Sequence, residues 1–304
     1  MHTRLVRKRL RISCAVLIGA LLSASADAGL SIVVAAEPTN HGSTVALRDD
    51  AVRALPLNKL TPQGKQLATK VLNDVTIFRR LPPQLIECDT DMYGFLVDNP
   101  DLVINIWEVM GVTKVIMNRL GPTSFRLNDG NGTTGDIHYL YRSNSQHVLY
   151  CEGTYTGSML PRPIRGRCIL SLRSAHVRDA SDREFVQCRL DSFVQLDNVG
   201  VELFAKTFQN AIGGIADHNF KETTGFVSSV SRAAEASPES IHRIAAKLQK
   251  IPPQTKLEFT EIGDQIWADS TAASQRALTS GGPILTNPGD MPTARRPDAS
   301  EAKR

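Results

Sequence analysis

The chain has 304 residues, of which 41% are hydrophobic and 22% are charged, so it can form one sizeable domain with tails or two small domains. Its formal net charge of +4 resides in the first 28 residues, which hold five basic side chains and one acid. The rest of the chain is therefore close to neutral, which excludes a general electrostatic attraction to nucleic acid.

The first 28 residues have the pattern of a secretory signal peptide. A basic start is followed by the apolar run 14–22 and then by small residues up to Ala28. This pattern predicts export to the periplasm or the exterior, with cleavage after Ala26 or Ala28 and, as second choice, after Ala36. The alternative is an uncleaved membrane anchor, although the run is shorter than the ~20 residues that a span requires.

Cleavage would leave four cysteines: Cys88, Cys151, Cys168 and Cys188. An even number in an exported chain permits two disulfides, with three possible connectivities. Buried free thiols are the alternative, because free cysteine is among the most buried residue types. The chain has no Cys-x-x-Cys pair, no zinc-type ligand spacing and no phosphate loop, so we expect neither a metal nor a cofactor.

The segment before the predicted sheet contains helical signals. Residues 29–58 are interpreted as a loose leader, which is polar and contains proline from residue 37 onward. Residues 59–80 are predicted to form a flanking helix that stops at two prolines. Residues 84–88 predict a short strand. Two short helices follow, the first capped by Asp89 and the second beginning at Asn99 and Pro100.

From Gly111 the apolar period changes from helical spacing to two, which predicts strands. The six strands are predicted at Thr113–Leu120, Ser124–Leu127, Thr134–Arg142, His147–Thr156, Arg165–His176 and Glu184–Gln195. Short turns separate them, so the pattern indicates an antiparallel meander, which becomes seven-stranded with residues 84–88.

A two-residue hairpin at Asn144 and Ser145 would set the register of this sheet. It predicts one mostly apolar face made by His138, Leu140, Arg142, His147, Leu149, Cys151, Tyr155, Cys168, Leu170, Leu172, Val186, Cys188, Leu190 and Val194. The opposite face is polar and is predicted to be wet. The same register brings Cys168 opposite Cys188, a disulfide candidate.

Residues 196–238 predict one long helix with an apolar side, which must lie on something large. Residues 237–278 predict further C-terminal helices. Residues 279–304 are rich in Gly, Pro, Ser and charge and are interpreted as a disordered tail.

The order strand, two short helices, antiparallel meander and long helix over residues 81–236 resembles the START / Bet v 1-like (SRPBCC-type) superfamily. The resemblance rests on element order and not on a diagnostic motif. It implies an α+β helix-grip fold, in which a curved antiparallel seven-stranded sheet grips a long C-terminal helix, here with extra flanking helices and in an exported member. It also implies a sheet–helix space that holds an apolar small molecule in most members, while some members are cyclases or hydrolases and others have lost the cavity.

Candidate ligand-binding residues lie on the apolar sheet face and the long helix: Leu140, Leu149, Tyr155, Leu170, Leu172, Val186, Leu190, Phe204, Phe208 and Ile212, with Arg142. A filled core is the alternative. His138 and His218 are the candidates for acid–base catalysis. A polar rim at the hairpin, for His138, and a brace within the helix, for His218, are the structural alternatives.

Three functions follow. The first is an exported carrier of an apolar or lipid-like small molecule. The second is a small cyclase- or hydrolase-type enzyme that uses His138 or His218. The third is an envelope structural protein with a filled core and an exposed apolar stripe on 257–267. A basic cluster of Arg162, Arg165, Arg167 and Arg173 would meet an envelope partner, a membrane surface or only solvent.

Overall fold

The computed structural model describes residues 41–156, 163–180, 183–197 and 201–279, and covers the backbone alone at 41–43, 201–213, 215 and 277–279. The helices are α1 (His41–Arg53), α2 (Pro62–Leu72), α3 (Thr90–Asp98), α4 (Pro100–Val109), α5 (Val201–Ala236), α6 (Pro238–Lys247) and α7 (Pro253–Thr279). The strands are β1 (Ile77–Arg80), β2 (Gln84–Glu87), β3 (Ile116–Gly121), β4 (Ser124–Asn128), β5 (Thr133–Ser143), β6 (Gln146–Tyr155), β7 (Ile164–Arg178) and β8 (Glu184–Asp197).

The eight strands form one antiparallel sheet in the order β1-β8-β7-β6-β5-β4-β3, and β2 also pairs with β8. β1 lies opposite residues 191–194 and β2 opposite 185–188, so the two short strands form one interrupted edge. Pro82 and Pro83 lie at the interruption, since proline has no N–H for the ladder. The eight strands thus occupy seven positions. The predicted fold class, a curved antiparallel sheet with a long C-terminal helix and flanking helices, is confirmed.

The prediction of one helix over 59–80 was wrong at its C-terminal end. α2 is capped by Thr61, whose side-chain oxygen accepts from the Gly64 N–H at 3.1 Å, and it ends at Leu72. Ile77 and Phe78 then pair with β8. β-Branched and aromatic residues suit a strand, and a short apolar run does not by itself distinguish helix from strand. The predicted leader 29–58 also contains a helix, α1, in its second half.

The polar face of the sheet, predicted to be wet, is covered over its middle by the N-terminal helices. Tyr150, Ile169 and Phe193 are buried there in one cluster with Ala68 and Val71 of α2. The prediction of one wet face was therefore wrong. The middle of that face is an apolar patch, and α1 and α2 cover it.

A buried carboxylate on this outer face holds α1 against the sheet. Asp191 is 1% exposed and accepts from Arg80 Nε at 2.6 Å and from Arg173 Nη2 at 3.2 Å. Arg80 Nη2 also lies 2.9 Å from an Asp50 carboxylate oxygen of α1. The carboxylate is thereby neutralised by two guanidinium groups, which offsets the cost of its burial.

A β-bulge in β5 changes which residues face inward. Arg142 pairs with His147 as the hairpin predicts, but Tyr139 pairs with Leu149 and Tyr141 with Val148, so Leu140 is an extra residue. Every residue of β5 before the bulge is shifted to the other face. The inward placement of His138 and Leu140 was therefore wrong. Tyr139 faces inward in their place.

The predicted Cys168–Cys188 disulfide was wrong. Cys168 lies opposite Val194 in β8, while Cys188 lies opposite Ser174. Six residues of strand separate the two cysteines, about 20 Å, which is far beyond disulfide reach. All four cysteines of the described chain are free and buried. Burial raises the pKa of the Cys88 thiol to about 12 and that of Cys188 to about 11.

α5 is one continuous helix of 36 residues, as its apolar spacing predicts. Val227, Val230 and Ala234 on it are buried in the main core. α6 and α7 join the same core through Ile241 and Phe259. The predicted signal peptide lies outside the described residues, and so does the predicted tail 279–304 except for Thr279, which is the last residue of α7. In the part of the chain that is described, no helix has the length and apolarity that a membrane crossing requires.

Candidate functional site

A cavity of about 160 Å³ lies between the inner face of the sheet and α5. Its described lining is mostly aliphatic and comprises Arg79, Leu81, Leu96, Val97, Pro100, Val103, Ile104, Met117, Leu127, Ile137, Tyr139, Leu149, Leu170, Leu172, Leu190, Ser192, Ala216, Asn219, Phe220, Thr223 and Val227. Apolar cavities of about 150 Å³ hold a benzene ring, whereas sites for drug-sized ligands begin at about 300 Å³. The space therefore suits a small ring or a short chain.

Periodicity in the sequence builds these walls. Alternate residues of a strand share a face, which brings Leu170 and Leu172 of β7 to the same side as Leu190 of β8. On α5, Ala216 and Phe220 are four residues apart and thus lie on one side of the helix. The residues of α3 and α4 line the cavity between these two walls.

One group of polar side chains interrupts the apolar lining. Arg79 and Ser192 are direct cross-strand partners in β1 and β8. Arg79 Nε donates to Asp217 Oδ1 at 3.1 Å, and Arg79 Nη2 contacts the other carboxylate oxygen. Asn219 lies two residues further along α5. The sheet and the helix thus each contribute polar groups to the same cavity.

Two polar atoms in this group have no hydrogen-bond partner in the structure. They are Ser192 Oγ and Asn219 Nδ2, and their residues are 6% and 5% exposed. Thr223 differs, because its hydroxyl donates to the Asn219 backbone oxygen at 2.7 Å. Buried polar atoms are nearly always paired in native proteins, so these two, which belong to residues that line one cavity, require an explanation.

Tyr139 contributes its ring to the cavity, and its hydroxyl is engaged. The phenol donates to the Val97 backbone oxygen of α3. Burial raises the pKa of Tyr139, so the phenol is neutral at ordinary pH. The hydroxyl therefore ties α3 to the sheet and is occupied by that bond.

The predicted ligand-binding residues fall into three groups. Leu149, Leu170, Leu172 and Leu190 line the cavity. Leu140 packs on the opposite face, where it lies beside Gly64 of α2. Tyr155, Val186 and Arg142 face inward but are not among the described lining residues. The side chains of Phe204, Phe208 and Ile212 lie outside the described residues.

The two histidines considered for catalysis do not meet at the cavity. His138 lies on the outer face with its Nδ1 2.9 Å from Ser124 Oγ, and His218 is exposed. His147 is the buried imidazole of the inner face, with its Nε2 3.2 Å from Asp98 Oδ1. Burial acts to raise the pKa of Asp98, but the hydrogen bond and charge of His147 outweigh it, so this pKa is lowered.

Arg142 and two members of the predicted basic cluster are engaged in ion pairs. Arg142 Nη1 lies 3.6 Å from Asp98 Oδ1. Arg167 pairs with Asp197 at 2.7 Å, and Arg173 pairs with Asp191. Arg162 lies outside the described residues. No three or more His, Cys, Asp and Glu side chains within the described ranges are grouped so as to hold a metal ion.

Sequence reasoning missed the polar group of the cavity. Ser192 shares its face with Leu190 and Val194 by simple alternation, so its inward position was readable. Asn219 follows Ala216 by three residues, which is also readable as one helix face. The inward position of Arg79 was not predicted because 59–80 was assigned to a helix. That of Tyr139 was not predicted because of the bulge, for which the sequence has no local signal.

Comparisons with known proteins show weak structural likeness. No protein-family model matches the chain, and the search of curated proteins also finds no match. A conserved protein from Geobacillus kaustophilus aligns at 10% identity and a TM-score of 0.35, over 48% of this chain and 93% of that one. Ara h 8.0201 aligns at 10% identity and 0.29, over 50% of this chain and 99% of that one.

The di-domain ARO/CYC StfQ from the steffimycin biosynthetic pathway aligns at 12% identity and a TM-score of 0.30, over 60% of each chain. Likenesses at this level carry no argument about function. The fold rests on the strand order and on the long helix of this chain, and the site rests on its own geometry.

Proposed function

We propose that this protein binds an apolar small molecule in the space between the sheet and α5, and that it does so as an exported carrier. The observation that supports binding is the cavity of about 160 Å³ with a mostly aliphatic lining. An apolar pocket with a few fixed polar groups is the usual form of a small-molecule site.

The packing around the cavity supports the same proposal. The outer face of the sheet is covered by α1 and α2, and the inner core continues into α6 and α7. An unfilled apolar space of this size costs stability, because the side chains that line it lack packing partners on one side. A ligand that fills it would recover that stability by binding the native state.

Export is supported by the basic start, the short apolar run and the small residues before Ala26 and Ala28. Expression of the full chain in a bacterial host tests it. Mass spectrometry of the purified protein should find a chain that begins at Asp27 or Gly29 in the exported fraction. A full-length chain retained in the cytosol or the membrane would contradict export.

Binding is tested with small apolar probes and with the native ligand. We expect native mass spectrometry of gently purified protein to show bound apolar material. We also expect benzene and short-chain alkanes to shift the methyl NMR signals of Leu149, Leu170 and Leu190. These methyls line the cavity and report occupancy directly.

Ala216→Leu is the blocking variant, because it replaces a methyl group in the cavity wall by an isobutyl group. Ala273→Leu on the exposed side of α7 is its matched control. Probe binding should be lost in the first variant and kept in the second. Absence of bound material together with unchanged cavity methyl signals in the wild-type protein would overturn the proposal.

A further inference from the structure

We propose that the polar group of the cavity selects the ligand, and that it receives a neutral hydrogen-bond acceptor such as the carbonyl oxygen of a ketone or ester. The donors are the Ser192 hydroxyl and the Asn219 side-chain amide. This inference rests on the proposed function, and it adds the chemistry of the ligand's polar end.

The two donors come from opposite walls of one cavity. Ser192 lies on β8 between Leu190 and Val194, with Arg79 and Leu170 as its cross-strand neighbours. Asn219 lies on α5, and both residues line the cavity. Their atoms Ser192 Oγ and Asn219 Nδ2 are buried without a partner. A donor that is buried and unpaired is costly, and an acceptor on a ligand removes that cost.

Charge decides between a neutral acceptor and an anion. Arg79 is the cation at this end of the cavity, and its Nε and Nη2 already contact both carboxylate oxygens of Asp217. A ligand carboxylate would therefore enter an apolar space without an unmatched positive charge, which burial strongly disfavours. A carbonyl oxygen accepts two hydrogen bonds and carries no such penalty.

Other polar groups near the site are already engaged. The Thr223 hydroxyl donates to the Asn219 backbone oxygen, and the Tyr139 hydroxyl donates to Val97. Among the described lining residues, the buried side-chain atoms without a hydrogen-bond partner are Ser192 Oγ and Asn219 Nδ2. Together with the volume, this predicts a ligand the size of a single ring or short chain with one carbonyl group.

Three probes of similar shape test the chemistry on the wild-type protein: acetophenone, isopropylbenzene and benzoate. Titration at neutral pH is followed by the methyl NMR signals of Leu170 and Leu190. Acetophenone should bind about 10-fold more tightly than isopropylbenzene, and benzoate more weakly than either. Equal binding of acetophenone and isopropylbenzene, or tighter binding of benzoate, would overturn the inference.

Substitutions locate the effect. Ser192→Ala combined with Asn219→Leu should reduce the preference for acetophenone over isopropylbenzene to about 1, since both donors are gone. Ser192→Ala alone, a smaller change, should reduce it about 3-fold. Ser229→Ala on the exposed side of α5 is the matched control and should keep the full preference. An unchanged preference in folded Ser192→Ala would remove that hydroxyl from the assignment.

The outcomes separate the two proposals. Binding of all apolar probes without a preference would leave the carrier function standing and overturn the carbonyl assignment. Failure of every probe to shift the cavity methyl signals would overturn the carrier function itself.

Discussion

Asp191 and Ser192 are neighbours in β8 that face opposite sides of the sheet, and their surroundings differ. On the outer side, the Asp191 carboxylate accepts from Arg80 and Arg173. One residue further along on the same side, Phe193 packs on Phe78 with ring centroids 5.1 Å apart. On the inner side, Ser192 Oγ has no partner and the side chain borders a void.

The difference shows that the void belongs to the inner face and is not a general looseness of the sheet. The same strand packs closely on one side and leaves space on the other. Protein interiors are normally close-packed, so an apolar space on the inner face, lined by two residues with unpaired polar atoms, has the character of a binding site.

The largest expected effect separates the two neighbours by charge. Asp191→Ala should lower the free energy of unfolding by about 3 kcal/mol, because it removes the buried carboxylate that pairs with both Arg80 and Arg173. Ser192→Ala should change it by less than about 0.5 kcal/mol, because the hydroxyl has no partner to lose. Urea unfolding of both variants measures this. Equal losses would mean that the faces do not differ as described.

A second comparison enlarges one alanine to leucine on each face of the sheet. Ala68→Leu on α2, where the residue is 0% exposed, should cost about 1–3 kcal/mol through overpacking. Ala216→Leu, which points the same change at the cavity wall, should cost less than about 1 kcal/mol because space is available. Thermal unfolding checks both variants. A larger loss for Ala216→Leu would contradict the cavity.

The smallest effect concerns the thiols of the inner core. Folding raises the pKa of Cys88 from 9.0 to about 12 and that of Cys188 to about 11, chiefly by burial. Because the folded values lie above the unfolded one, their stabilising effect is complete below pH 9 and is lost as the pH rises towards 11 or 12. Ionisation of each thiol in the unfolded state should lower the free energy of unfolding by about 1 kcal/mol by pH 10.

Urea unfolding between pH 7 and 10.5 measures this loss, and Cys188→Ala, compared with its own stability at pH 7, should show a shallower decline. Native thiols should also resist alkylation at pH 8 and react after unfolding. Rapid alkylation of the folded protein would show that these cysteines are not buried as described.

Much of the sheet could be read from the chain because strand alternation is a local property. The hairpin at Asn144 and Ser145 set the register of β6 against β5, and parity across the next turns placed Leu149, Leu170 and Leu190 on the inner face. These three residues line the cavity. The face of β5 before Leu140 was misassigned, since a bulge adds one residue and inverts everything before it.

The prediction for the N-terminal region failed for a different reason. Residues 77–80 have an apolar pattern that fits a helix as well as a strand, and pairing with β8 decided between them. The helices α1 and α2 cover a face that, strand by strand, looked polar. The burial of Tyr150 and Phe193 depends on those helices and not on the strands that carry them.

By itself, the sequence determined β2, the six strands of the meander, the long helix and the alternation that separates one face of the sheet from the other. These features follow from backbone geometry and from the spacing of apolar residues along a few neighbouring positions. The tertiary structure alone decided the bulge, the cover on the outer face, the cysteine environments and the cavity. Each of these depends on contacts between residues far apart in the chain. A cavity forms where such residues do not pack completely against each other.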